Sequence, residues 1–352
     1  MKNKKFYNIA NLLKTGATYL MPLGMRTNGK SYQVKETMLK DAYKNGYKFV
    51  YLRRWQDDIK QTYVEEYFAD MPIETYTEGQ YDSVVAWQGF LYFARMGEDG
   101  KPAKGPQIGR YCALNIATRY KSQAFVDYKY IDYEEFITDS VYLADEPTKL
   151  QQFAATVARL SDLTIFMIGN TISRTCPYFK EWSLKGTLTQ KQNTIEIYHM
   201  HGEDGAIIDI AVENCAKVER ENNMFFGNAA KQIVSGEWDV KASPRLPDKF
   251  EKYDLCLKID VHFSLMYFRL CLLADSTGQV LLYIYPGADH KEGRRLITDD
   301  FANDLLTTRH INRANRLEAR MLDCWYQNKV CYSDNLTAAD FNNINLQYKV
   351  FC

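Results

Sequence analysis

The sequence has no apolar run approaching the roughly 18 uninterrupted residues of a membrane-crossing helix, so no membrane association is expected. It has no CxxC pair. Its eight cysteines (Cys112, Cys176, Cys215, Cys256, Cys271, Cys324, Cys331 and Cys352) are scattered, which argues against a disulfide framework and for reduced, mostly buried thiols. The basic N-terminus MKNKKFYNIANLL lacks the long apolar segment and small-residue cleavage site of a secretory signal, so a cytosolic chain is expected. Net charge is missing too: 44 Lys and Arg face 44 Asp and Glu, leaving no whole-chain basic field to grip nucleic acid. A local patch is not excluded, because residues 1–60 hold 13 basic and 4 acidic side chains. Repeats and low-complexity tracts are absent. What is present is an ordinary globular composition, 46% apolar and 25% charged, over 352 residues. At about 150 residues per domain that is room for two.

The first half alternates short apolar runs with helical spacing. Strands are expected over 18–23, 47–52, 125–131 and 163–169, and helices over 31–45 and 149–160. A hairpin is expected between 84 and 115, joined by the turn-forming EDGKPAKGP. Strands alternating with helices predict an α/β domain with a mainly parallel sheet over 1–195. A linker is expected over 196–247, where charge clusters and Pro244 and Pro247 break the pattern. A smaller α+β domain is expected over 248–352, with a meander of three strands turning at 276–278 and a helix near 313–326.

One motif is complete. GMRTNGKS at 24–31 matches GxxxxGK[ST], a match with chance odds of about one in a hundred at this length and glycine frequency. A strand-like run precedes it and a helix follows it. Gly24 and Gly29 let the backbone curl so that N–H groups of Arg26, Thr27 and Asn28 face phosphates at the positive end of the helix. Lys30 brings a point charge to the β- and γ-phosphates, and the Ser31 hydroxyl enters the Mg²⁺ shell. ATP and Mg²⁺ are the ligands this implies. The bland alternative is a glycine-rich turn. Pro22 is awkward in a central strand, where it removes a ladder bond, and is expected at the strand's C-terminal end.

Hydrolysis also needs an acid at the tip of a neighbouring strand to hold the metal and a carboxylate to orient water. YKYIDYEEF at 128–136 supplies Glu134 for the metal and Glu135 for the water, with Asp132 a rival for the metal role. An acidic loop is the plain alternative.

At this point the residues resemble a known family, the DNA-packaging ATPases of small short-tailed phages of the phi-29 type. FYN at 6–8, GMRTNGKSY at 24–32, FVYLRR at 49–54, Lys121–Ser122, EEF at 134–136, TVAR at 156–159 and GN followed by PYF at 177–179 fall in the family's order and spacing. The resemblance implies an additional-strand, catalytic-glutamate (ASCE) ATPase domain, a linker, and a C-terminal domain like a degenerate RNase H-type nuclease. It implies Lys30 and Ser31 as the phosphate-loop pair and Glu135 as catalytic glutamate. Arg159 becomes an arginine offered in trans by a neighbouring subunit, Lys121 a second basic residue at that interface, and Asn170 a polar residue at a strand tip. The implied partners are double-stranded DNA, the viral portal and a homo-oligomeric ring of five, with room for a packaging RNA. The implied location is the host cytoplasm, on the procapsid. Two departures stand out: the family has Asp where this chain has Glu134, and an apolar residue at Asp132, whose buried carboxylate then needs a partner.

The function expected is ATP-driven translocation of viral DNA. A helicase-like ring translocase and a nucleotide-sensing assembly protein without hydrolysis remain the alternatives. Arg26 is a second arginine in reach of a γ-phosphate, and Arg53 and Arg54 either couple nucleotide to DNA or pair with acids. Lys101 and Lys104 are either pore contacts or a solvated hairpin tip. His199 and His201, with Glu203 or Asp204, have strand spacing for a metal but no third strong ligand, so surface polarity is expected. Asp260, Asp275, Asp299 and Asp300 are the acids a working nuclease would use; an inactive fold is expected.

Overall fold

The computed structural model describes residues 6–160, 162–202, 205–216, 242–300 and 306–352. They form two compact units. The first contains 6–137, 143–171 and 186–216; the second contains 138–142, 172–185 and 242–352.

The first unit is built on nine strands: β1 (Tyr19–Gly24), β2 (Lys48–Arg53), β3 (Ser83–Trp87), β4 (Phe90–Met96), β5 (Pro102–Ala113), β6 (Tyr128–Glu134), β7 (Thr164–Asn170), β8 (Thr194–His201) and β9 (Ile207–Asn214). Their order across the sheet is β3-β4-β5-β2-β6-β7-β1-β9-β8. The six from β5 to β9 pair in parallel, while β3–β4, β4–β5 and β8–β9 are antiparallel. The central strands carry continuous apolar or aromatic runs because helices cover parallel sheets on both faces; every residue of β1 is buried. One strand, β7, is inserted between β1 and β6, so β1 and the acidic strand are next-nearest neighbours.

The helix Lys30–Asn45 follows β1. Gly29 (φ 99°) starts it and Gly46 (φ 72°) ends it in a left-handed conformation that costs glycine little. Val34, Met38, Leu39 and Ala42 form its buried stripe. The helix expected near 149–160 runs from Glu146 to Val157 and tightens into a 3₁₀ turn over Ala158–Leu160.

Two expectations differ from the structure; that for Pro22 does not. Pro22 lies inside β1, opposite Glu213 of β9 and two residues short of the strand's C-terminal end at Gly24, where it was expected. Pairing with β7 lapses at Met21 and Pro22 and resumes at Leu23 opposite Gly169, so the missing N–H falls in the gap. The stretch read as one arm of a hairpin is two strands turning at Gln88–Gly89, and most of the supposed turn is strand β5. Lys104 therefore sits in a strand, its ammonium 3.5 Å from the centre of the Trp87 ring, while Lys101 lies at the turn. The expected linker begins instead with sheet: β8 and β9 form a hairpin, and β9 docks in parallel against β1. Short strands interrupted by polar residues concealed it. Residues 217–241 of that linker lie outside the described residues.

The second unit holds β10 (Asp254–Phe263), β11 (Met266–Ala274), β12 (Val280–Gly287), β13 (Leu296–Thr298), β14 (Thr307–Thr308) and β15 (Val330–Tyr332), in the order β14-β13-β10-β11-β12-β15. The meander β10–β11–β12 is antiparallel, and β13, β14 and β15 are added in parallel. The expected turn at 276–278 is closed by the Asp275 carboxylate, which accepts from the Thr277 and Gln279 amides. Helices Arg316–Tyr326 and Asn335–Tyr348 are capped by Asn315 and Asp334. All eight cysteines are free thiols, five of them buried.

Candidate functional site

The loop 24–31 leaves the C-terminal end of β1, where open α/β sheets place their ligands. Thr27 (φ 63°) and Gly29 (φ 99°) are both left-handed, which curls the backbone before the helix. Gly24 is required by close approach: a Cβ there would stand 3.2 Å from Cys215 Cβ and 3.3 Å from Asn28 Nδ2. The loop is fastened from several sides. Cys215 N–H donates to Leu23 O at 2.7 Å, Thr171 N–H to Gly24 O at 3.2 Å, and Tyr7 N–H to Asn28 O at 3.0 Å. The Tyr7 hydroxyl then donates to Glu213 of β9 at 2.7 Å. Arg26 and Thr27 are exposed at the crest.

Lys30 is buried, its ammonium donating to Gly24 O (3.1 Å), Met25 O (2.8 Å), Asn28 Oδ1 (3.2 Å) and Asn170 Oδ1 (3.3 Å). Burial lowers its pKa to about 8, partly opposed by Cys215 and Glu134. Asn170 thus meets the loop across the register pair Gly24–Asn170.

Because β7 alone separates β6 from β1, the tip of β6 faces the start of the phosphate-loop helix. Ser31, at the start of that helix, lies beside Glu134 and favours its ionised form. The Glu134 carboxyl has its pKa raised, chiefly by burial, with Ser31 and the Tyr67 hydrogen bond opposing. Asp132 is wholly buried two residues earlier on the same strand face, and burial with the neighbouring Glu134 raises its pKa well above the carboxylate range. The partner the sequence demanded for it is the Tyr67 hydroxyl, at 2.9 Å.

Glu135 breaks the alternation. It is left-handed (φ 56°) just past β6, and its half-exposed carboxylate pairs with Arg53 Nη2 at 2.7 Å. Arg54 is buried and pairs with Glu146, Nε to Oε2 at 2.8 Å, while its other nitrogens hold the carbonyls of Glu135 (3.2 Å) and Phe136 (2.7 Å). Tyr133 and the Leu143 amide also donate to Glu146. Both arginines therefore pair with acids, one of the two roles left open. Breaking this buried pair strands a charge: Glu146→Ala is expected to destabilise the first unit by about 3–5 kcal/mol, measured as a lower urea midpoint. A variant as stable as the parent removes Glu146 from the frame of the site.

Arg159 is exposed in the 3₁₀ turn, and its guanidinium donates to Lys121 O at 3.2 Å. Two residues far apart in sequence, both of which the resemblance implies for a subunit interface, are thus brought together. Among the described residues neither hydrogen-bonds to the phosphate loop.

Of the remaining groups, His199 on β8 pairs with Asp209 of β9 at 2.7 Å; Glu203 and Asp204 lie outside the described residues. In the second unit Asp299 and Asp300 pair with Lys180, at 2.6 and 3.1 Å. Buried Asp260 is ringed by Arg269 (3.4 Å), Arg294 (3.5 Å) and His290 (3.2 Å). Sequence reasoning missed Tyr67 and Glu146, which carry no local motif, and the pairing of Tyr7, inside the block FYN, with Glu213. Lys35 had a signal, since it stands four residues after Ser31 on the same helix face.

The model of the podovirus DNA encapsidation protein (Gp16) family matches residues 1–225. The chain belongs to this family. Its curated relatives include the DNA packaging protein of Bacillus phage phi29, 26% identical over 362 aligned positions that span 100% of this chain and 98% of the relative. The DNA packaging protein of Bacillus phage PZA is 27% identical with the same coverage. Among solved structures, the bacteriophage phi-29 viral genome packaging motor assembly superposes with a TM-score of 0.57 at 20% identity over 98% of each chain, a likeness of fold. As a member of the encapsidation family, the chain has its phosphate loop, acidic strand tip and Arg159 all inside the matched residues.

Proposed function

We propose that this chain is the ATP-hydrolysing subunit of a ring motor that drives double-stranded DNA through the portal into a viral procapsid in the host cytoplasm. The observation that carries this is the meeting, across one inserted strand, of Lys30 and Ser31 with Glu134, with Glu135 next to it at the end of the acidic strand. That is the additional-strand arrangement the catalytic-glutamate ATPase reading requires. Gly24, Arg26, Thr27, Asn28, Gly29, Lys30 and Asn170 hold the nucleotide. Ser31 and Glu134 offer a hydroxyl and a carboxylate, the oxygen donors a hard Mg²⁺ prefers, and would hold that ion. When bound, Mg²⁺ neutralises charge on the β- and γ-phosphates. Glu135 orients the attacking water once its carboxylate leaves Arg53. Arg159, with Lys121 beside it, reaches the γ-phosphate of the adjacent subunit. Five subunits and a packaging RNA follow from family resemblance. DNA must be held through its phosphates, whatever the sequence, with affinity falling steeply as salt rises.

The proposed domains are an ATPase domain that runs past the expected boundary at 195 to take in β8 and β9, and a C-terminal domain over 248–352. The latter is read as a degenerate RNase H-type fold. A three-strand meander with two strands added in parallel beside its first member supports this. Arg269 and Arg294 around Asp260 support the loss of nuclease chemistry, since guanidinium groups stand where a catalytic acid would need metal.

Lys30→Ala tests the site. It is expected to lower ATP turnover by about 10²–10³ and to stop DNA packaging. The parent chain should also show a pH signature. With a folded pKa of about 8 against 10.5 unfolded, Lys30 loses its charge first in the folded state. ATP affinity should fall about tenfold per pH unit above 8. Nucleotide-free stability should move the other way, rising by on the order of 1 kcal/mol per unit between the two values, because the unfolded chain then binds more protons. Lys30→Ala should lack both slopes. Unchanged turnover removes the site.

A further inference from the structure

Glu134 is one methylene longer than an aspartate, and an unrestrained glutamate has more rotamers than a metal site can use. The structure supplies the restraint from an unexpected quarter. Tyr67, on the helix Gln61–Phe68, places its hydroxyl 2.7 Å from Glu134 Oε1 and 2.9 Å from Asp132 Oδ2. A phenol has one proton to donate, so the two carboxyl groups share a single donor. The ring itself is held. It stacks on Tyr51 with centroids 4.5 Å apart at 28°, and the Lys35 ammonium lies 4.6 Å from its centroid. Lys35 also donates to the Tyr67 carbonyl at 2.6 Å. That lysine is buried on the phosphate-loop helix, on the face that presents Ser31. Glu134 is therefore bracketed by Ser31 on one side and, on the other, by a tyrosine fastened to Ser31's own helix.

We propose that Tyr67 is a positioning residue: it selects the Glu134 rotamer that meets the divalent cation, with Asp132 as the second acceptor that keeps the phenol over the strand tip. This rests on the reading of Ser31 and Glu134 as the metal-holding pair. Tyr67 need not touch nucleotide or metal to act. The ring gives it rigidity, the hydroxyl gives it direction, and Lys35 ties its placement to the loop that holds the phosphates. A shorter aspartate at 134 would have less freedom to restrain, so the tyrosine's contribution is specific to the longer side chain.

The test is Tyr67→Phe, which removes one oxygen and keeps the stack. Binding of a fluorescent, non-hydrolysable ATP analogue is titrated with Mg²⁺. The concentration giving half of the Mg²⁺-dependent gain in affinity is expected to rise about tenfold in the variant, a shift typical of lost support behind a metal ligand. Metal-free affinity should stay within about twofold, which a merely structural defect would not respect. An unchanged Mg²⁺ midpoint overturns the proposal. In a Glu134→Asp background, where the carboxylate draws back from the phenol, Tyr67→Phe should add less than about twofold; a further tenfold shift overturns it too. As a measurement that does not depend on the variant folding, 3-fluorotyrosine installed at position 67 keeps the hydroxyl. Its fluorine resonance is expected to move when Mg²⁺ is added to the analogue-bound chain, and a signal indifferent to Mg²⁺ overturns the assignment. If the parent shows no Mg²⁺-dependent gain in the first place, it is the metal-pair reading that fails.

Discussion

Replacing Arg159 by Ala is expected to lower ATP turnover of the assembled ring by about 10³–10⁵, with ATP affinity of the single chain changed less than about twofold. Charge spreads over the γ-phosphoryl oxygens as the bond breaks, and a guanidinium placed there late in the reaction stabilises the transition state rather than the ground state. The geometry fits a residue lent to a neighbour. Arg159 is exposed at the end of the helix Glu146–Val157, and its guanidinium rests on the Lys121 carbonyl, not on its own phosphate loop. Mixing two inactive variants decides the matter. In a ring assembled from Arg159→Ala and Lys30→Ala chains, a Lys30→Ala subunit still presents Arg159 to the intact loop of the next chain. Partial recovery of turnover is expected. A mixture no better than either variant alone places Arg159 in cis, or outside the chemistry.

The phosphate loop and the acidic strand were legible because each is encoded locally, whereas Arg159 was singled out only through TVAR, one of the blocks that carry the family resemblance. GMRTNGKS specifies its own curl, and EE after an apolar run announces a strand tip. What sequence could not give were contacts whose two ends are remote and individually unremarkable. Tyr67 and Asp132 are 65 residues apart, Arg54 and Glu146 are 92 apart, and Tyr7 and Glu213 are 206 apart. Nothing in the spacing of a tyrosine within QTYVEEYF says that its hydroxyl ends on a carboxylate of another strand. The same blindness explains the hairpin β8–β9. Its half-polar residues look like linker until β9 is seen beside β1, where burial of Ile210, Ala211 and Val212 repays the pairing. Arg53 and Arg54 show the converse case. Adjacent in sequence and equal in composition, they diverge because strand alternation sends one to an exposed carboxylate and the other to a buried one.

Replacing Glu135 by Gln is expected to lower turnover by about 10²–10⁴ while the chain still binds Mg·ATP, so nucleotide is held and not spent. A carboxylate can orient water and accept its proton; an amide of the same shape can still hydrogen-bond the water but cannot take its proton at neutral pH. Two features single out Glu135 over its neighbours. Its left-handed backbone (φ 56°), a costly conformation for a side chain of this kind, turns it away from the buried face used by Asp132 and Glu134. Arg54 then clamps the carbonyls of Glu135 and Phe136, so the strain is held by a buried ion pair rather than relaxed. With Glu134 buried, raised in pKa by that burial and hydrogen-bonded to Tyr67, the exposed Glu135 is the carboxylate left to meet solvent. Its pairing with Arg53 makes it a poorer base until the two part, which ties hydrolysis to a movement of that arginine. Single-turnover measurements on Glu135→Gln separate binding from chemistry. Hydrolysis at the parent rate with binding intact would transfer the role to another acid and leave the strained backbone at Glu135 without a catalytic purpose.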